Sequence, residues 1–281
     1  MPRPPRRPGH PYLAGAPLLM AHRGGSLLAP ENTMAAFSQA VNDWGADVLE
    51  MDVRLTRDGR VVVIHDATVD RTTDGSGAVA DMSWQELSAL DAGFHFSDLR
   101  GRLSCRGDGV RVPLFEEVLA TFPKVRLNVE SKVAEAAGPL IDIIAHYRAE
   151  QRVLVAAEFE TTRKGARGYE GPWGASRRHV APFWALHRVP FASRLYRPEA
   201  DAFQVHERSG PFRIVTRRFV QAAHAANIPV HVWTVNDEQD MRRLLDWGVD
   251  GIQSDRPDVL ADVLVQVAGR APAPCRRRGS D

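Results

Sequence analysis

Short apolar runs alternate along this chain with longer stretches whose apolar residues recur at helical spacing. The runs are PLLMAHRG (17–24), DVLEMDVRL (47–55), VRLNVES (125–131), RVLVAAEF (152–159), PWGAS (172–176), ADAFQVHE (200–207), PVHVWTV (229–235) and DGIQSD (250–255). Helical patterns follow them at 32–44, 114–122, 135–149, 160–167, 176–187, 216–227, 236–247 and 257–268. Asn32 or Thr33 is placed to cap the first helix and Asn236 the seventh; Asp255 or Arg256 precedes Pro257 at the first turn of the last. Eight strand–helix units predict an α/β fold, a TIM-type (β/α)8 barrel. The fifth strand has the weakest pattern. A doubly wound open sheet is the competing architecture, but no Gly-x-Gly-x-x-Gly follows the first strand.

Two pieces depart from a plain barrel. Asp58-Gly59 lies between alternating flanks and predicts a β-hairpin extending the second strand. With these two residues at the centre of the turn, Arg57 pairs with Arg60 and, counting outward, Asp52 faces His65. Residues 67–111, rich in Gly, Asp, Ser and Arg with a short helix at SWQELSAL, read as a small insertion above one end of the barrel. The expected organisation is a flexible tail over 1–17, the barrel over 18–268 and a flexible basic tail over 269–281.

In a strand, alternate side chains share a face. Glu50, Asp52 and Arg54 therefore share one face of the second strand, and Leu49, Met51, Val53 and Leu55 the other. The apolar face would meet the helices, and the acidic face would point inward at the C-terminal barrel rim where active sites sit. Residues 128–132 repeat the pattern, with Asn128, Glu130 and Lys132 on one face. Lys132 is one of three lysines among 36 basic residues. His22 and Arg23 reach the rim from the first strand, beside Gly24 and Gly25, and Trp233 from the seventh. Glu50, Asp52 and Glu130 form an all-oxygen set suited to a divalent cation, Mg2+ or Ca2+. No Cys pair or His-Glu-x-x-His points to zinc. Two histidines beside such an ion, with Arg23 and Lys132, make an anion site with acid–base capacity, which fits phosphate ester chemistry.

Composition narrows the setting. A net charge of +1 argues against a nucleic-acid partner or an anionic membrane surface. No window approaches a membrane span, and the N-terminal residues lack the apolar stretch of a signal peptide. Two cysteines, Cys105 and Cys275, fit a reducing compartment, so the cytoplasm is the expected location.

Several segments together carry a family resemblance: AHRGGSLLAPENTMAAFSQAVNDWGADVLEMDVRLTRDGRVVVIHDATVDRTTDGSG, LNVESK and VHVWTVNDEQDMRRLLDWGVDGIQSDRPDVL. With these His-Arg-Gly, Pro-Glu-Asn-Thr, Glu-x-Asp, His-Asp and Glu-x-Lys motifs the chain resembles the glycerophosphodiester phosphodiesterases, of the PLC-like phosphodiesterase superfamily. The resemblance implies hydrolysis of small-molecule glycerophosphodiesters to glycerol 3-phosphate and an alcohol. It implies Glu50, Asp52 and Glu130 as cation ligands and His22 and His65 as the acid–base pair. Arg23 and Lys132 would contact phosphate, Trp233 would line the glycerol side, and residues 67–111 would be the insertion beside the substrate. Glu158, His206 and Gln253-Ser254 depart from the usual pattern at strand ends on the same rim and bear on the head group. A sphingomyelinase D-like phospholipase and a noncatalytic glycerophosphodiester-binding barrel are the alternative readings.

Overall fold

The computed structural model describes residues 10–189, 196 and 198–278. The expected tail residues 1–9 and 279–281 lie outside the described residues. The strands are β1 (Leu18–Ala21), β2 (Val48–Leu55), β3 (Val61–Val63), β4 (Arg126–Ser131), β5 (Val153–Ala156), β6 (Phe203–His206), β7 (Arg208–Ser209), β8 (Phe212–Arg213), β9 (Val230–Trp233) and β10 (Gly251–Ser254). Seven of them form a parallel sheet in the order β5-β4-β2-β1-β10-β9-β6. Residues 173 and 174 bridge its two ends, with Trp173 beside Val155 and Gly174 beside Ala202. The Gly174 amide donates to Val155 at 3.0 Å, and the Ala175 amide donates to Ala202 at 2.9 Å. The run 172–176 thus stands at the eighth position around a TIM-type barrel, as two bridges in place of a regular strand. Glycine is needed there, because a Cβ on Gly174 would come within 2.6 Å of Gln204 Oε1 and 3.2 Å of Ala156 Cβ.

The alternation read from the sequence sorts the core into layers. Leu49, Met51, Val53, Leu127 and Val129 pack in one cluster with the helix residues Phe37, Phe115, Leu140, Phe219 and Leu264. A second cluster fills the barrel with Tyr12, Leu18, Met20, Val48, Leu154 and Ala202. A third, around Val62, Ile64, Val69, Val79, Leu87 and Leu114, gives residues 61–114 an apolar centre of their own. Helix ends follow local rules. Thr33 caps Met34–Asn42, its hydroxyl accepting from the Ala36 amide at 3.3 Å. Pro257 opens the last long helix, Pro257–Ala268. Asp237, in place of the expected Asn236, caps Glu238–Asp246; Asn236 is drawn to Asp255 and Ser254.

The expected hairpin register needs correction. The hairpin pairs Val53 with Val63, Arg54 with Val62 and Leu55 with Val61. That register is one residue off the expected one. The Thr56 amide donates to Arg60 at 3.0 Å, so the turn holds three residues, 57–59, and Asp52 faces Ile64 rather than His65. Gly59 takes a left-handed φ of 76°, as a three-residue hairpin requires. The Asp58 carboxylate holds this geometry by accepting from the Thr56 hydroxyl at 2.7 Å and the Trp84 amide at 2.9 Å.

Residues at both described ends make contacts with the barrel. Tyr12, in the short 3-10 turn Pro11–Leu13, is fully buried in the barrel, and Arg126 donates to the carbonyls of Tyr12 (3.1 Å) and Ala14 (2.6 Å). At the other terminus Arg270 pairs with Asp47, Ala273 is buried, and the Cys275 amide donates to Asp43 at 3.1 Å.

Tyr12→Ala is expected to lower unfolding free energy by about 3–5 kcal/mol, whereas Tyr12→Phe removes only a hydroxyl without a hydrogen-bond partner among the described residues and leaves stability within about 1 kcal/mol. Urea titrations of both variants check this. Burial also pushes the His231 imidazole down to about 4. The unfolded chain takes that proton near pH 6.5 and the folded one does not, so stability falls as pH drops below 6.5. We expect this contribution to reach about 2 kcal/mol between pH 7 and 5. It should vanish in His231→Gln, as urea unfolding at the two pH values would read.

Candidate active site

Neighbouring strands bring the acidic residues together at their C-terminal ends. β2 and β4 pair in register, Asp52 beside Glu130 and Glu50 beside Asn128. Glu50, Asp52 and Glu130 each offer an oxygen within 4.8 Å of the others. Glu50 and Asp52 are buried, at 3% and 2% exposure, so their charges are poorly hydrated. Burial and the neighbouring Asp52 raise the Glu50 carboxyl above the usual range. Burial would raise Asp52 too, but Lys132 and Arg23 more than offset it and hold that carboxyl low. Lys132 Nζ lies 2.9 Å from Asp52 and 3.0 Å from Glu130. Arg23 pairs with Asp52 at 3.2 Å, and its amide donates to Glu50 at 2.9 Å. Such a cluster can hold a divalent cation: its donors are all oxygens and their spacing is that of one coordination shell.

The loop after β1 is shaped by its two glycines. Gly24 has a φ of 83°, and a Cβ there would lie 2.6 Å from Ala36 Cβ; one on Gly25, at φ 97°, would lie 2.8 Å from Pro257. Their smallness lets the first and last helices close on the loop, which turns His22 and Arg23 into the barrel mouth.

Both histidines are tethered in the same way. His22 Nδ1 lies 2.6 Å from Asp255 Oδ1, and His65 Nδ1 lies 2.6 Å from Asp66 Oδ1. With Nδ1 bound to a carboxylate, each Nε2 is left for proton transfer. Burial would lower the His22 pKa, but Glu50 and Asp255 outweigh it and raise it. His65 hangs from the segment just beyond β3.

A cavity of about 320 Å3 opens above the acidic cluster. Seven of the eight expected site residues line it: His22, Arg23, Glu50, Asp52, Glu130, Lys132 and Trp233. His65 stands outside that lining. Glu158, His206 and Gln253 line it as well, and Ser254 is buried, its hydroxyl donating to Asn236 at 3.1 Å.

Five supporting residues carry no catalytic expectation from sequence: Asp255 and Asn32 are legible there only as candidate helix caps, and Asp66 only as the second residue of the His-Asp pair. Asn32 donates to Asp52 at 3.0 Å, Glu31 accepts from Arg23 at 3.0 Å, and Arg71 ties Glu31 to Asp66. The Pro-Glu-Asn-Thr motif was a signal for two of them; Arg71 had none beyond its place in the matching segment.

A cation-ready acidic cluster beside guanidinium, ammonium and imidazole groups, at the mouth of such a barrel, defines a class of enzymes acting on phosphate esters. A sequence profile of the glycerophosphoryl diester phosphodiesterase family matches residues 22–169 and 179–259, and the chain belongs to that family. A glycerophosphodiester phosphodiesterase of Caldanaerobacter subterraneus is 32% identical over 260 residues, covering 88% of this chain and 97% of that one. A Bacillus altitudinis glycerophosphodiester phosphodiesterase is 34% identical over 248 residues, covering 85% and 95%. Among solved structures, an Oleispira antarctica phosphodiesterase in complex with the product sn-glycerol-3-phosphate superposes with a TM-score of 0.70 at 25% identity, covering 89% and 97%.

Arg71 donates to Asp66 at 2.6 Å and to both oxygens of Glu31 at 2.8 and 2.7 Å. It thereby links the carboxylate holding His65 to the one holding Arg23. Its hydrogen bond is the first reason the Asp66 carboxyl sits as low as about 2. Arg71→Ala is expected to reduce kcat/KM by roughly 10–100-fold, as loss of an outer-shell partner does. Arg71→Lys should recover little, since an ammonium cannot bridge two carboxylates in forked geometry. Steady-state kinetics alongside a thermal melt check both.

Proposed function

We propose that this protein hydrolyses glycerophosphodiesters to sn-glycerol 3-phosphate and an alcohol, with a divalent cation, Mg2+ or Ca2+, at Glu50, Asp52 and Glu130. The observation that carries the reading is the acidic cluster of two adjoining strands with His22 in the same cavity lining, together with the carboxylate bound to Nδ1 of both His22 and His65. The bound cation would supply positive charge to the nonbridging oxygens. Arg23 and Lys132 contact phosphate, and Trp233 lines the glycerol side. One imidazole, at Nε2, takes the proton of the hydroxyl that forms the new bond to phosphorus; that hydroxyl is water's, or the substrate's own adjacent one, in which case the product is a cyclic phosphate that water opens in a second, like step. The bond from phosphorus to the alcohol oxygen breaks, and the other imidazole delivers a proton to that oxygen. Lys132 spans Asp52 and Glu130, at 2.9 and 3.0 Å, and offsets part of their charge.

Residues 18–268 form the catalytic unit in this reading, with 67–111 as its insertion. Two unpaired thiols, Cys105 and Cys275, support a cytoplasmic setting. Among the described residues no helix is long and apolar enough to cross a membrane.

Purified protein incubated with glycerophosphocholine and Mg2+ or Ca2+ should release sn-glycerol 3-phosphate, and EDTA should stop it. Turnover untouched by EDTA would remove the cation from the mechanism, and choline phosphate as product would place the cleavage elsewhere. His65→Ala should cut kcat by at least about 100-fold with an unchanged melting curve. Asp52→Asn should weaken cation binding in calorimetry.

A further inference from the structure

The three-residue turn leaves His65 without the sheet to hold it. β3 ends at Val63, and the Ile64 amide still donates across the hairpin to the Asp52 carbonyl at 2.9 Å. His65 comes next, outside both strands. Among the described residues its backbone has no bond to another backbone group. Its ring is tied through Nδ1 to Asp66, which Arg71 holds in turn. A side chain fixed only at its far end still moves with the chain that carries it.

Arg54 supplies the missing support. Its Nε donates to the His65 carbonyl at 2.8 Å. Arg54 stands one pleat beyond Asp52 on the same face of β2, partly buried. Among the described residues this is the one hydrogen bond its guanidinium makes, and it forms no ion pair. A guanidinium kept for its charge is ordinarily found on a carboxylate, often with two parallel bonds. This one is found on the backbone of a histidine, and its anchor is the strand that carries Glu50 and Asp52.

We infer that Arg54 is a positioning residue of the reaction, acting through His65 by the bond from Nε to its carbonyl and not by its charge. The inference rests on the proposed phosphodiesterase reading, in which the His65 imidazole moves a proton. Arg54 and Arg71 then hold the His65–Asp66 dipeptide from two sides, one at the backbone and one at the carboxylate. The first of these bonds sets the imidazole relative to the acidic cluster, because Arg54 and Asp52 share a strand. Proton transfer needs heavy atoms within about 2.6–3.2 Å, and a displacement of about 1 Å can cost about 100-fold in rate. The competing role, direct contact of the guanidinium with phosphate, would use the charge and leave Nε incidental.

Substitution separates the two roles. Glutamine puts a donor nitrogen as many bonds from the backbone as arginine Nε and carries no charge, whereas methionine keeps the stem without a donor. With glycerophosphocholine and Mg2+ or Ca2+, Arg54→Met should lower kcat about 10–100-fold with KM held within about threefold. Arg54→Gln should stay within about threefold of the parent kcat. Placed on His65→Ala, Arg54→Met should cost less than about twofold more, since a group acting only through the imidazole then has nothing left to position. Equal losses in Arg54→Gln and Arg54→Met, a raised KM at unchanged kcat, or a full further loss on His65→Ala would each overturn the inference. Arg54→Lys keeps the charge with its nitrogen one bond further out; it should lose rate as methionine does, and it keeps the test readable if methionine unfolds the chain in a thermal melt. A second measurement needs no turnover. The 15N ring signals of His65, assigned by their loss in His65→Ala, should shift or broaden in Arg54→Met and stay in place in Arg54→Gln, with those of His22 unmoved. Unmoved His65 signals in Arg54→Met overturn the inference whatever the activity. Moved signals in a protein that turns over no diester keep Arg54 as the residue that holds His65 and overturn the phosphodiesterase reading alone.

Discussion

Repulsion among three carboxylates in one small volume is the constraint around which the mouth of the barrel is arranged. Strand pairing puts Asp52 beside Glu130 and Glu50 one step below, and the surrounding core denies them water. Buried anions without partners are costly enough to unfold a marginal protein. The structure answers with cations on two sides: Arg23, turned in by the loop after β1, and Lys132, one pleat beyond Glu130. Those same cations suit a phosphate, and the same oxygens suit a divalent ion. What stabilises the carboxylates is thus also what would recognise the reactants.

A second layer fixes the first. Asp255 and Asp66 take Nδ1 of the two histidines, Asn32 holds Asp52, and Arg71 binds Glu31 and Asp66 in one span. Groups that carry out proton transfer lose efficiency with small displacements. A tethered imidazole has one tautomer and one orientation, which is the condition for Nε2 to act on a substrate atom. The cavity above has the acidic cluster at one end, and toward β5 and β6 its lining mixes Ala157, Val180 and Ile214 with Glu158, Gln204 and His206.

Much of this was legible in the chain because it depends on local periodicity. The alternation across residues 49–53 assigned Glu50 and Asp52 to one face and Leu49, Met51 and Val53 to the other, and the core clusters bear that assignment out. The hairpin was legible in kind and not in register. Asp58-Gly59 suits both a two-residue and a three-residue turn, and the choice was made by Asp58 reaching Trp84, 26 residues away. Slipping the register by one removed His65 from its expected place opposite Asp52. Contacts at the two ends are equally distant in sequence: Tyr12 packs inside the barrel and Arg270 meets Asp47.

By itself the sequence determined the repeated strand–helix order, the faces on which the acidic residues lie and the motifs that carry the family. These follow from dihedral periodicity and residue chemistry, which need only neighbours along the chain. Only the tertiary structure decided which carboxylate tethers which histidine and that residues 172–176 close the barrel by two bridges. Each of those depends on groups far apart in sequence meeting in space, and no local preference encodes such a meeting.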